Sequence, residues 1–128
     1  MKNRPHAPDL LAIAREVYNT EILPAVPVDK RYAALMIANA MAIAQREIEA
    51  GEEPAQAELA RLRSLFDESA REVHGRELDS ALADCNRRLA RAIRSGRYDE
   101  ERAALLAHLR RTVEEKLAIS NPKALAGK

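Results

Sequence analysis

The chain has 128 residues, of which 47% are hydrophobic, 32% are charged and 3% are aromatic, and its formal net charge is +1. This length is typical of a single domain, and the balanced charge argues against a general nucleic-acid binder. No apolar stretch approaches the roughly 18 residues that a membrane-spanning helix requires, and the single cysteine excludes an internal disulfide framework. Because the first residues lead into no hydrophobic signal-peptide core, we expect a cytoplasmic protein.

Helix-forming residues dominate the composition, and glycines and prolines divide it into about five segments. Ala, Leu, Arg and Glu favour helix, whereas alternating runs of Val, Ile and Thr and hairpin turns are missing. We therefore predict an all-α, up-and-down bundle of about five helices. It would form a single domain over residues 1–122, followed by a loose C-terminal tail over residues 123–128.

The first predicted helix begins near Pro8, where proline suits the first helical turn, and ends before Pro24. Its expected apolar stripe consists of Leu10, Ala14, Val17, Tyr18 and Ile22. The second predicted helix covers residues 30–50, with Asp29 as its N-cap and a glycine at its end.

This second helix is unusual because residues 32–44 carry no charge. A helix that is apolar on all sides is buried on all sides. We therefore predict either the central helix of a five-helix monomer or a homodimer formed through the Tyr32–Ala44 helix. Asn39 lies midway along it, where burial of an amide is costly without hydrogen bonds. It would be a core asparagine bonded to a neighbour such as Asn86, or part of a polar pocket between helices.

The last three predicted helices begin near Pro54, Gly75 and Asp99. Each carries apolar residues at helical spacing, which predicts the face that it buries. These faces are Leu59, Leu62, Phe66, Ala70 and Val73 in the third helix; Leu78, Leu82, Cys85, Leu89 and Ile93 in the fourth; and Leu106, Leu109, Val113 and Leu117 in the fifth. Cys85 is accordingly expected to be a small buried hydrophobe rather than a reactive thiolate.

Sequence motifs for catalysis are missing from the chain. It has no phosphate-binding glycine loop, no Gly-x-Ser-x-Gly and no His-Glu-x-x-His. The three histidines have no His or Cys partner one turn away, so we predict no metal, no cofactor and no catalytic centre.

Candidate ligand contacts lie on the last two helices. Arg87, Arg91 and Arg94 are spaced i, i+4 and i+7, so they form one stripe on their helix. This stripe could bind phosphate groups. The alternative is a solvated face whose arginines pair with acids such as Asp84. Asn86 and His108 are the polar side chains nearest the predicted apolar faces.

Several segments, taken together, resemble one family. They are Arg4-Pro5 with Asp9-Leu10-Leu11, Ile37–Ile43 with Arg46-Glu47, Asn86–Leu89 with Ile93–Gly96, and His108–Arg110 with Lys116–Pro122. They resemble an uncharacterised bacterial family of small all-helical proteins, typically encoded beside or fused to aminoglycoside-phosphotransferase-like kinases and acyl-CoA dehydrogenases. The resemblance implies a helper module for such an enzyme and supplies no catalytic residues.

Three functional hypotheses follow. The first is a non-catalytic accessory module that binds a kinase-like or acyl-CoA-dehydrogenase-like protein. The second is a small-molecule binding protein or an unrecognised enzyme. It would hold an anionic, acyl-CoA-like or nucleotide-like ligand through Asn39, Asn86, His108 and the arginine stripe. The third is a nucleic-acid binder that uses residues 87–97, which the low aromatic content disfavours.

Overall fold

A computed structural model describes residues 6–69 and 71–126, and these residues form helices and connecting turns without a β-strand. The α-helices are α1 (Ala7–Val17), α2 (Arg31–Ala50), α3 (Glu53–Leu65), α4 (Gly75–Arg94), α5 (Arg102–Ser120) and α6 (Pro122–Ala126). The predicted all-α class is confirmed, and the five longer helices correspond to the five predicted ones. The short helix α6 occupies most of the segment predicted as a tail. None of the described helices is long and apolar enough to cross a membrane.

The connection between α1 and α2 consists of short helical turns. The chain continues from α1 into a π-helical turn, Tyr18–Ile22, and then into two 3-10 turns, Leu23–Ala25 and Val28–Lys30. Asp29 lies within the second 3-10 turn, and Lys30 is the residue that precedes α2, so the predicted N-cap at Asp29 was wrong. The prolines of this segment fix their own φ and donate no backbone hydrogen bond, which favours short turns over one continuous helix.

Helix α3 ends earlier than its apolar pattern suggests. The amide of Asp67 donates to the Ser64 carbonyl at 3.1 Å, and the amide of Glu68 donates to the Arg63 carbonyl at 2.8 Å. This is the Schellman pairing that closes a helix, and it places Asp67 in the left-handed region with φ = 56°. Val73 therefore belongs to the segment that follows the helix, and it is buried there. Ala70 lies outside the described residues.

Asp67→Gly is expected to raise the free energy of unfolding by about 1 kcal/mol, because a side chain in the left-handed region is strained. Chemical denaturation followed by circular dichroism measures the change. Asp67→Ala is the matched control, since alanine keeps the strain and should give no gain. Equal stabilisation by both variants would contradict this explanation.

The chain divides into two compact units. The first runs up to Gly51 and also includes Ile119–Asn121. In it α1 packs against α2, and the Tyr18 hydroxyl donates to the Ala34 carbonyl at 2.9 Å. Its buried residues within the described range are Ala34, Ala38 and Ala42. The spacing of four residues places these alanines along one line of α2, so the fully buried face of this helix consists of small side chains.

The second unit comprises Glu52–Ala118 and the residues from Pro122 onward. Its core has two clusters, which contain Leu62, Phe66, Leu89, Tyr98 and Leu105, and Leu59, Val73 and Leu78. The predicted inward faces of the third and fourth helices are thus largely confirmed, with Leu82 and Cys85 packed against the same clusters. Ile93 is the exception, since it is exposed.

The predicted inward face of the fifth helix was wrong. Leu106, Leu109 and Val113 are exposed, whereas Leu105 and His108 are the buried residues of α5. Apolar residues occur on more than one side of this helix, so their spacing does not single out one face. The buried face of α5 also carries polar side chains that form hydrogen bonds with Arg61 of α3.

The N-terminus of α4 is capped from the start of α3. One carboxylate oxygen of Glu52 accepts a hydrogen bond from the Gly75 amide at 2.7 Å, and the other lies 2.9 Å from His74 Nδ1. His74 Nε2 also lies 3.2 Å from a Glu72 oxygen. The bond to His74, together with that from the Gly75 amide, lowers the pKa of Glu52, and the same bond to Glu52 raises the pKa of His74.

This pair is expected to stabilise the fold most between about pH 4.5 and pH 6.5. The lowered pKa of Glu52 gives a contribution that is lost as the pH falls through its folded value. The raised pKa of His74 gives a contribution that is lost as the pH rises through its folded value. Urea unfolding of the protein and of His74→Gln at about pH 5.5 and pH 8.5 tests this linkage. The free energy of unfolding of His74→Gln should fall less from the lower to the higher pH than that of the parent protein. An equal fall in both proteins would contradict the assignment.

Candidate functional site

A polar cluster joins α3 to α5 inside the second unit. The guanidinium of Arg61 donates from Nη2 to Glu115 Oε1 at 2.6 Å and to Thr112 Oγ1 at 3.2 Å, and from Nε to His108 Nδ1 at 3.4 Å. The three partners are spaced i, i+4 and i+7, so α5 presents them on one face. The side chains of Arg61 and Glu115 are only 24% and 18% exposed, which makes this ion pair the most buried in the described chain.

His108 is held as a neutral, oriented imidazole. Only 4% of the residue is exposed. Burial lowers its pKa, and the nearby positive charge of Arg61 lowers it further, while Glu58 and Glu115 act in the opposite direction. Because Nδ1 accepts from Arg61, the proton of the neutral ring is assigned to Nε2.

The Nε2–H group of His108 is available to a ligand. It forms no hydrogen bond to the described residues, yet every fully buried polar side-chain atom among them has a partner. It follows that Nε2 is not sealed off from solvent. His108 also lines a neighbouring cavity, which makes this imidazole a candidate contact for a ligand.

The cavity beside this cluster has a volume of about 600 Å³. Its lining residues are Arg61, Ser64, Leu65, Asp67, Arg97, Glu101, Ala104, Ala107 and His108. They come from α3, α5 and the turns that follow α3 and α4. The guanidinium of Arg97 lies 5.8 Å from the ring centre of Phe66 and 5.4 Å from that of Tyr98, within the range of cation–π contacts. The cavity thus combines cationic, anionic and neutral polar groups.

Of the residues predicted to contact a ligand, His108 is the one that lines this cavity. Asn39 is exposed on α2 of the first unit, so its expected burial was wrong. Asn86 is exposed on α4 and donates from Nδ2 to Glu58 Oε2 at 3.0 Å, rather than serving as a core partner of Asn39. A stretch without charges need not be buried when its own unit provides no covering element.

The arginine stripe on α4 is exposed. Arg87 pairs with Asp84, while Arg91 and Arg94 are exposed on the last turns of the helix. Arg88, next to the stripe, pairs with Glu68 and lies 4.1 Å above the ring of Phe66. The pairing of Arg87 matches the solvated-face interpretation at that position, and phosphate binding by this stripe stays a prediction.

Arg61, Thr112 and Glu115 were not identified from the sequence. The available signal was the spacing of His108, Thr112 and Glu115, which repeats the i, i+4, i+7 pattern on α5. No group of three or more His, Cys, Asp or Glu residues within 6–69 and 71–126 is placed to hold a metal.

In the described residues the chain is all-helical, and a cavity with a partly polar lining lies between α3 and α5. A family model, described as a domain of unknown function (DUF6285), matches residues 24–124. Because this match covers most of the sequence, the chain belongs to that family. The comparison with curated proteins and the comparison with solved structures gave no match.

Proposed function

We propose that the protein is a non-catalytic interaction module whose first unit binds a partner protein. The supporting observation is the exposure of large apolar side chains on this unit, which we term the apolar surface. It consists of Leu10, Ile13, Val17, Ile22, Tyr32, Leu35, Met36, Ile37 and Ile48, each of them 45–77% exposed. The fully buried residues in the described part of the same unit are alanines, whereas the side chains of the apolar surface stay about half exposed or more.

Burial of the apolar surface would provide the free energy for association. Burial of a Leu, Ile or Met side chain gains roughly 1.5–3 kcal/mol relative to full exposure, and about half of each side chain is still uncovered. Large exposed apolar patches are typical of protein-binding sites. Helices α1 and α2 would pack their apolar side chains into a groove or against a helix of the partner.

The partner is proposed to be a phosphotransferase-like kinase or an acyl-CoA-dehydrogenase-like protein in a bacterial cytoplasm. The support for this choice is the resemblance described above, which implies such enzymes as genetic neighbours. Membership of a family of unknown function is compatible with a helper role and does not identify the enzyme.

Co-expression with kinase-like or dehydrogenase-like proteins encoded beside the gene tests this function. Size-exclusion chromatography with light scattering should show a complex of defined stoichiometry. Ile37→Glu is expected to weaken it at least tenfold, because a carboxylate would be buried in an apolar interface. Leu106→Glu is the matched control, since Leu106 is equally exposed on the second unit and should leave the complex intact.

Two outcomes would contradict the proposal. One is the absence of a complex with any of these proteins. The other is a stable homodimer that Ile37→Glu dissociates, which would assign the apolar surface to a second copy of the chain. Circular dichroism of Ile37→Glu and Leu106→Glu verifies that both variants retain their helices.

A further inference from the structure

We propose that the cavity between α3 and α5 binds a small zwitterion that carries one carboxylate and one ammonium group, such as a free amino acid or a dipeptide. This inference concerns the second unit and does not depend on the apolar surface. It rests on the buried His108 donor, on the arginines that line the cavity and on the acids that accompany them.

The carboxylate would be bound by hydrogen-bond donors that the protein leaves unused. His108 Nε2–H has no partner among the described residues, although only 4% of the residue is exposed. Arg61 uses Nε and Nη2 in the polar cluster, which leaves Nη1 to donate. Arg97 stacks on aromatic rings and forms no ion pair with the described residues. Hydrogen bonds from charged donors to a carboxylate are the strong ones.

The polar cluster fixes the first of these donors before a ligand arrives. Arg61 holds the His108 ring through Nδ1, and Glu115 and Thr112 hold Arg61. An imidazole that is already oriented loses little conformational entropy when it binds.

The ammonium group would be bound by Asp67 and Glu101. Both side chains line the cavity, and neither forms an ion pair with the described part of the chain. Asp67 is placed there by the Schellman turn, in the strained left-handed conformation that glycine would adopt more readily.

The charge balance of the lining decides between a zwitterion and a polyanion. Arg61 is already paired with Glu115, so Arg97 is the lining cation that forms no ion pair with the described residues. It accompanies the two carboxylates of Asp67 and Glu101, and the lining therefore has no excess of positive charge. A phosphate-rich ligand would bring several negative charges close to Asp67 and Glu101, which is unfavourable. Leu65, Ala104 and Ala107 provide apolar contacts for a carbon chain, and about 600 Å³ is within the usual size of a small-molecule site.

Isothermal titration calorimetry of the full chain, with the free amino acids and dialanine as probes, tests the proposal. The tightest probe is then compared with its N-acetyl derivative, which lacks the ammonium, and with its amide, which lacks the carboxylate. Both derivatives are expected to bind at least about tenfold more weakly, because each leaves one set of charged groups unpaired.

Variants locate the binding. Arg97→Gln and Asp67→Asn should each weaken the tightest probe about tenfold or more, and asparagine tolerates the left-handed backbone. Arg91→Gln is the matched control, because it removes an exposed arginine outside the cavity and should change nothing. The proposal is overturned if no probe binds at about millimolar concentration. Equal binding of the N-acetyl derivative would also overturn it, since the site would then recognise an anion alone.

Discussion

Replacement of Leu62 by alanine is expected to lower the free energy of unfolding of the second unit by about 2–5 kcal/mol. The side chain is completely buried and packs in one cluster with Phe66, Leu89, Tyr98 and Leu105. The truncation loses the transfer free energy of the deleted methyl groups, and it leaves a void that residues on α3, α4 and α5 cannot fill without moving. Urea denaturation followed by circular dichroism measures this loss.

Leu106→Ala is the control for this prediction. Leu106 lies on α5 next to buried Leu105, but 54% of it is exposed. Its truncation creates no void, so the change should stay within about 0.5 kcal/mol, as for most surface substitutions. If both variants lost the same stability, packing around Leu62 would not be the determinant of the fold.

The core of the second unit could be predicted because pattern and packing agree. Leu59 and Leu62 on α3 and Leu78 and Leu89 on α4 follow helical spacing, and the charges lie on the other faces. Such an amphipathic pattern predicts which face is buried without knowledge of the partner. The end of α3 could not be placed in the same way. The apolar residue Val73 continues the spacing, although the chain has already left the helix at Asp67.

The first unit shows the opposite case. Residues 32–44 have no charged side chain, which predicted burial on all sides, yet the structure buries Ala34, Ala38 and Ala42 and exposes Leu35 and Ile37. An uncharged composition shows that a segment can be buried. Whether it is buried depends on which other elements pack against it. The predicted homodimer through this helix and the proposed partner protein would each cover the same exposed apolar side chains.

The candidate site could be predicted only in part. His108 was identified because it lies near an apolar stripe, but its partner Arg61 is 47 residues away in the chain. Contacts of that separation depend on how α3 packs on α5, which no local pattern encodes. The i, i+4, i+7 spacing of His108, Thr112 and Glu115 did mark a polar face, but the competing stripe of Leu106, Leu109 and Val113 indicated a different orientation of α5.

Arg61→Met is expected to lower the free energy of unfolding by about 1–3 kcal/mol. Methionine retains most of the apolar part of the side chain, so the loss reports the missing charge and hydrogen bonds. The variant leaves the largely buried carboxylate of Glu115 without its cation and His108 Nδ1 without its donor. Glu115→Gln and the double variant complete a thermodynamic cycle, in which the two changes should couple because they remove the same ion pair.

The same variant should change how stability depends on pH. The pKa of His108 is lowered in the folded chain, so the native state loses stability as the pH falls below about 6.5, where an unfolded histidine takes up a proton. Without the Arg61 charge the pKa of His108 rises, and this acid-dependent loss becomes smaller. The penalty of Arg61→Met should therefore be smaller at about pH 5 than at about pH 8. The raised pKa of His74 also contributes to the pH dependence of stability, but His74 lies outside the cluster, so its effect cancels between variant and parent. Arg91→Met, at an exposed position, should show no such dependence, and an equal penalty at both pH values would mean that Arg61 does not control the charge of His108.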